Sequence, residues 1–212
     1  MKKLLIFLMI GSVLFAFKVN INPWTMKMGE VSLSLGFPTF GIRYGIIDNA
    51  EVGMSLKELG GYFKLGISDE SYAVSVGISS SFTFESAMVF GSAGIHFGSV
   101  WTSLGGGYRE VRDIFTDKTT PKISFSGEIY LDIMEKGNMN GGIGAFLQYE
   151  KMGDGYFGGV YASSSFKKVW FIDHVDMFGG VAVHYDPSEN FSLLQNLSVV
   201  FDISLDFYLF RR

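Results

Sequence analysis

The chain has 212 residues, no cysteine, a formal net charge of −4, and 18% charged against 48% hydrophobic residues. That charge is too small and of the wrong sign for nucleic acid, whose phosphates are met by clustered Lys and Arg. Absence of cysteine removes disulfide frameworks and thiolate metal sites, and no cofactor or metal is expected.

Soluble domains carry about 25% charged residues, so this composition points to lipid contact. Aromatics at 16% and 27 glycines suit a barrel with aromatic girdles and small lumen-facing side chains. In chain order, the first element is a targeting segment. Lys2 and Lys3 precede the apolar run Leu4 to Phe15, and Ala16 is a small residue at its end. This reads as a signal peptide over 1–16; the run is too short for a membrane-spanning helix. Residues 17–29 read as a short periplasmic lead-in, with Pro23 opposing strand pairing. The barrel domain is placed at 30–210. No run beyond Phe17 is long and apolar enough for a spanning helix, and only helices and closed barrels span bilayers.

Period-two alternation then runs to the C-terminus. It predicts about twelve antiparallel strands (ten as the alternative count), at 30–36, 39–47, 50–57, 61–68, 72–83, 86–97, 99–109, 122–134, 139–151, 155–166, 175–185 and 197–210. Phe40, Ile42, Tyr44 and Ile46 alternate with Gly41, Arg43 and Gly45. Tyr72, Val74, Val76 and Ile78 alternate with Ala73, Ser75 and Gly77. Ile123, Phe125, Ile129, Leu131 and Ile133 oppose Ser124, Ser126, Glu128, Tyr130 and Asp132. In the last strand Leu197, Val199, Phe201, Ile203 and Leu205 oppose Ser198, Asp202, Ser204 and Asp206, with Val200 the exception. A helix would scatter those aspartates; a strand puts them on one face.

Asp48-Asn49, Ser68 to Ser71, Lys136 to Asn138 and Gly153 to Gly155 read as turns, whereas Glu110 to Thr120 and Asp186 to Asn196 read as longer polar loops. Short turns at one rim and longer loops at the other is the outer-membrane pattern.

Arg43-Tyr44-Gly45-Ile46, the turn Asp48-Asn49 and Ala50-Glu51-Val52-Gly53 resemble the hairpin of small porin-like outer-membrane β-barrel proteins. Asp206-Phe207-Tyr208-Leu209-Phe210, followed here by Arg211 and Arg212, is similar to their aromatic terminal strand. The resemblance implies a bacterial outer-membrane location, with outer-membrane lipid and the barrel-assembly machinery as partners. It implies no substrate.

With the outer face apolar, strand charges belong inside, because Arg or Lys facing lipid at mid-depth costs roughly 2–4 kcal/mol. The expected inward, pore-lining set is Arg43, Glu51, Lys57, Lys64, Arg109, Glu128, Asp132, Glu150, Asp202 and Asp206. The leading function is a small passive channel or porin-like transporter for ions or small solutes, and the acidic second half favours cations. A closed structural or adhesive barrel and a lipid-hydrolysing barrel remain open alternatives. No catalytic residue is assigned, and the chain is read as not an enzyme. The hydrolase reading would need His184 with Ser204 and Asp202 or Asp206. His174 with Asp173 and Asp176 is too common a grouping to mark a metal site. A soluble carrier is disfavoured, since its apolar outer face would meet water. The Gly105-Gly106-Gly107 run lacks the rest of a phosphate loop and reads as a bend or a close backbone approach. Trp24, Trp101 and the Lys167 to Ile172 stretch are expected at the aromatic girdle.

Overall fold

The computed structural model describes residues 23–37, 40–55, 60–83, 86–113, 118–151, 155–187 and 196–208. The expected signal segment 1–16 lies outside them. Twelve strands follow in chain order: β1 (Glu30–Phe37), β2 (Phe40–Ile47), β3 (Ala50–Ser55), β4 (Gly60–Ser68), β5 (Tyr72–Ser81), β6 (Ser86–Phe97), β7 (Val100–Asp113), β8 (Lys118–Lys136), β9 (Met139–Lys151), β10 (Gly155–Val169), β11 (Ile172–Tyr185) and β12 (Leu197–Tyr208). Each pairs antiparallel with its chain neighbours. β12 returns to β1 from Glu30↔Tyr208 to Phe37↔Phe201, so the sheet closes on itself. Closure satisfies every ladder and leaves no edge.

Alternation decides which side each residue takes. On β5, Ala73 and Ser75 are 0% and 2% exposed, while Val74, Val76 and Ile78 are 52%, 58% and 57% exposed. The same division holds for Val89, Leu104, Phe125, Ile129, Ile143, Leu147, Val160 and Val199, all exposed on the outside. A belt of this extent is far larger than water tolerates on a monomer and suits hydrocarbon.

The two rims differ. Both ends of the barrel domain and the turns at 48–49, 69–71, 98–99, 137–138 and 170–171 lie at one rim, called here the turn rim. Gly98 and Gly137 take φ +63° and +60° there, a conformation that side chains resist. The opposite rim carries the longest connection, 186–196. One expected loop is largely strand: β7 runs on to Asp113 and β8 begins at Lys118, so only 114–117 separates them. The polar composition of 110–120 reflects a hairpin with water on both faces, where apolar alternation has no cause.

The wall is uneven. β2, β3 and β4 span 8, 6 and 9 residues, whereas β8 spans 19. Val200, which broke the alternation, is explained by the interior: it packs with Phe157 and Ala182, and Phe146 and Phe178 close over them. This apolar cluster fills one part of the inner wall across β9 to β12.

The inner wall as candidate functional site

The inward charges form groups that the strand register dictates. Glu51 on β3 is paired with Lys64 on β4, and the side chains meet at 2.9 Å with each 1% exposed. Tyr62 Oη donates to Glu51 Oε1 at 2.9 Å. The neighbouring strand supplies Arg43, whose Nη2 donates to Ser32 Oγ at 3.0 Å and whose charge acts on Glu51 and Asp206. Asp202 is 1% exposed and accepts from Ser204 Oγ at 3.1 Å; Ser204 also bonds Ser34 across the β1–β12 seam at 3.0 Å. Asp206 sits opposite Ser32 and His174. These serines let strands approach while giving each carboxylate a donor.

A second group lies across the barrel. Tyr161 Oη donates to Glu128 Oε1. Trp101 Nε1 donates to Asp132 Oδ2 at 2.7 Å. Ser163 Oγ donates to Tyr130 Oη at 2.9 Å, and the Tyr130 and Tyr161 rings run parallel 6.2 Å apart. Arg109 falls opposite Met88 and Lys122 on the inward rows of β6 and β8. The backbone of Glu150 pairs with Ser124 and Gly155. Lys57 lies outside the described residues.

Large inward rings are kept against the wall by glycine. Tyr62 pairs with Gly53, Phe90 with Gly77 and Tyr161 with Gly144. A Cβ on these glycines would stand 2.1 Å from Tyr62 Cε1, 2.3 Å from Phe90 Cζ and 2.3 Å from Tyr161 Cζ. The missing side chain is the space the ring lies in, so aromatic bulk is laid along the sheet.

Residues 23–29 precede β1 without joining the sheet, as Pro23 leads one to expect, but they lie on the inner wall. Met26 N donates to Glu51 Oε2 at 2.8 Å, and Lys64 Nζ donates to the Trp24 carbonyl at 3.0 Å. Gly29 N donates to the Gly45 carbonyl at 2.9 Å, and Met28 N to Asp48 Oδ1 at 2.9 Å. Trp24 meets Trp101 edge-on at 5.1 Å, and His96 stacks on Trp101 at 3.7 Å. Trp24 and Trp101 are therefore interior residues and not girdle residues. Trp101 shares its face with Ser103 and Arg109, by the parity of β7. Trp170, in the β10–β11 turn, is 93% exposed beside Phe171 and fits a girdle position.

The inward rows of β8 and β10 toward the turn rim stay accessible: Glu128, Tyr130, Asp132, Tyr161, Ser163 and Ser165 are all partly exposed. On the inner rows, His96 Nε2, Asn140 Oδ1, Gln148 Oε1 and Asp206 Oδ1 have no hydrogen-bond partner among the described residues.

The residues weighed for hydrolysis are not brought together. β11–β12 pairing puts Asp202 opposite Phe178 and Asp206 opposite His174, while His184 pairs with Phe157 on the other neighbour. His184 is thus several rungs from Ser204. Among the described residues no three His, Asp or Glu converge as metal ligands would.

No protein-family model matches the chain, and no curated protein matches it. Among solved structures it is similar to the NanC porin at 9% identity, over 85% of this chain and 98% of that one, with a TM-score of 0.48. It is similar to a bacterial polysaccharide outer membrane secretin at 6% identity, over 86% and 97%, with a TM-score of 0.49. It is also similar to the KdgM porin at 11% identity, over 86% and 98%, with a TM-score of 0.44. Each is a likeness in outline only.

Proposed function

We propose that this chain is an outer-membrane channel that passes small solutes and favours cations. The observation that carries the reading is the partly exposed polar row of Glu128, Tyr130, Asp132, Tyr161, Ser163 and Ser165 on β8 and β10, inside a closed wall whose outside is apolar. Strands about 4.8 Å apart and tilted about 40° close, at twelve, with a backbone radius of roughly 12 Å. Eight strands leave room only for their own side chains; twelve leave more, and the glycine-backed rings take up little of it. The charges that line the path are the partly exposed inward ones, Arg43, Arg109, Glu128, Asp132 and Asp206, while Glu51, Lys64 and Asp202, each 1% exposed, brace the wall behind it.

The cation preference follows from the acids that stand on the partly exposed inner rows. Glu51 is matched by Lys64. Glu128 and Asp132 accept from Tyr161 and Trp101 on partly exposed inner rows. Negative charge on a low-dielectric wall raises the local concentration of cations.

Refolding the chain from residue 17 into lipid vesicles and following osmotic swelling tests the reading. Entry of small sugars, with rates falling as solute size rises, is the expected result. Vesicles that stay impermeable with a correctly folded barrel would turn the reading toward a closed structural barrel.

A further inference from the structure

The stretch ahead of β1 has a seat built for it. Gly45, Gly66 and Gly94 stand on β2, β4 and β6, at inward positions near the turn rim. A Cβ on Gly45 would stand 2.0 Å from the Lys27 carbonyl oxygen. On Gly66 it would stand 2.9 Å from Thr25 Cγ2. On Gly94 it would stand 2.7 Å from Pro23 Cγ and 2.8 Å from the Trp24 ring. Three alternate strands thus each omit a side chain where residues 23–27 cross them. An isolated glycine weakens a strand unless another group comes close, and here each has such a group. The crossing is fastened in its middle by Glu51 and Lys64, which reach Met26 N and the Trp24 carbonyl. Thr25 Oγ1 and Trp24 Nε1 donate to the carbonyls of Asp48 and Asp69 in the rim turns, at 3.1 and 3.4 Å.

We propose that residues 23–29 are an internal strap that forms the narrowest part of the lumen at the turn rim and confines passage to the side lined by β8 to β12. The inference rests on the channel reading. The strap covers the β2 to β7 side near the turn rim, where Glu51 and Lys64 are paired. It leaves uncovered the side that carries Glu128, Asp132 and Asp176. Size limit and charge preference then have one cause: solutes pass between the strap's free edge and an acidic wall.

The test compares single-channel conductance in planar bilayers for three proteins refolded from residue 17. The first is the native chain. The second lacks residues 23–28, retaining the Glu51–Lys64 pair and Tyr62 to hold the wall. The third carries Gly94→Leu, which displaces Pro23 and Trp24 and touches neither member of the pair. Removing the strap should raise unit conductance about twofold or more, since it widens the limiting section, and Gly94→Leu should raise it part of the way. Because the chain has no cysteine, Thr25→Cys with Gly66→Cys supplies a fourth protein. Its oxidised form, with the strap bonded to the wall, should conduct as the native chain does. A silent native chain with a conducting deletion would overturn confined passage and make the strap a complete plug. Equal conductance in all four would overturn the strap as the constriction and leave the channel intact. Silence in all four, with barrels shown to be folded by heat-dependent gel migration, would overturn the channel and the strap together.

Discussion

Lys64 Nζ stands 2.9 Å from Glu51 Oε1 on the next strand, and neither side chain is more than 1% exposed. Two charges so far from water are tolerable only as a pair, and the pair is completed by Tyr62, Met26 N and the Trp24 carbonyl. Removing one partner leaves the other uncompensated. Glu51→Gln or Lys64→Met alone should cost about 3–5 kcal/mol. The double change to Gln and Met should cost much less than the sum. Urea unfolding of the refolded barrel, read by tryptophan fluorescence, measures both. Additive losses would show that the two residues do not act as a unit.

Gly144 lies under the ring of Tyr161. The atoms that a new Cβ would meet, Cζ and Oη at 2.3 and 2.5 Å, belong to the free end of that ring. Gly144→Ala should therefore swing the ring into the lumen, at a cost of about 1–3 kcal/mol for overpacking. Conductance should fall while the barrel still folds, and adding Tyr161→Ala should restore it. Unchanged conductance in the single variant would mean that the ring does not border the path.

The three tryptophans report on two environments. Trp170 is 93% exposed in the β10–β11 turn and holds φ +62°, a conformation that costs a bulky residue on the order of 1 kcal/mol. A large ring kept at such a place fits an anchor at the lipid–water boundary. Trp24 and Trp101 contact each other inside. Brominated lipid should quench the fluorescence of a Trp24→Phe, Trp101→Phe protein strongly, and that of a Trp170→Phe protein weakly. The reverse pattern would place the aromatic pair outside.

The barrel was highly legible in the sequence because its outer face obeys one solvent along the whole chain. Strands 86–97 and 139–151 are found with the expected bounds, since alternation there is strict and turns cut it sharply. The extension of β7 and β8 was not legible: beyond the lipid, both faces of a hairpin meet water and Glu110 to Thr120 loses any apolar rhythm. The inward parity of Arg43, Glu51, Lys64, Glu128, Asp132 and Asp202 followed from the same alternation. Their grouping did not, because which acid meets which base depends on register across connections such as 56–59. Tyr62, Tyr130 and Tyr161 were missed as site residues, and the glycines paired with Tyr62 and Tyr161 are their clearest trace in the sequence. Trp101 has the parity of Ser103 and Arg109, a signal that would have placed it inside. Residues 23–29 have no period at all, and only Gly45, Gly66 and Gly94, far away in the chain, record where they lie.

The reversal potential of single channels under a potassium chloride gradient tests the central claim most directly. The native chain should give discrete steps and a reversal potential on the cation side, and Glu128→Gln with Asp132→Asn should move it toward zero with the steps retained. A reversal potential on the anion side, or one indifferent to those two carboxylates, would contradict a path along the acidic wall.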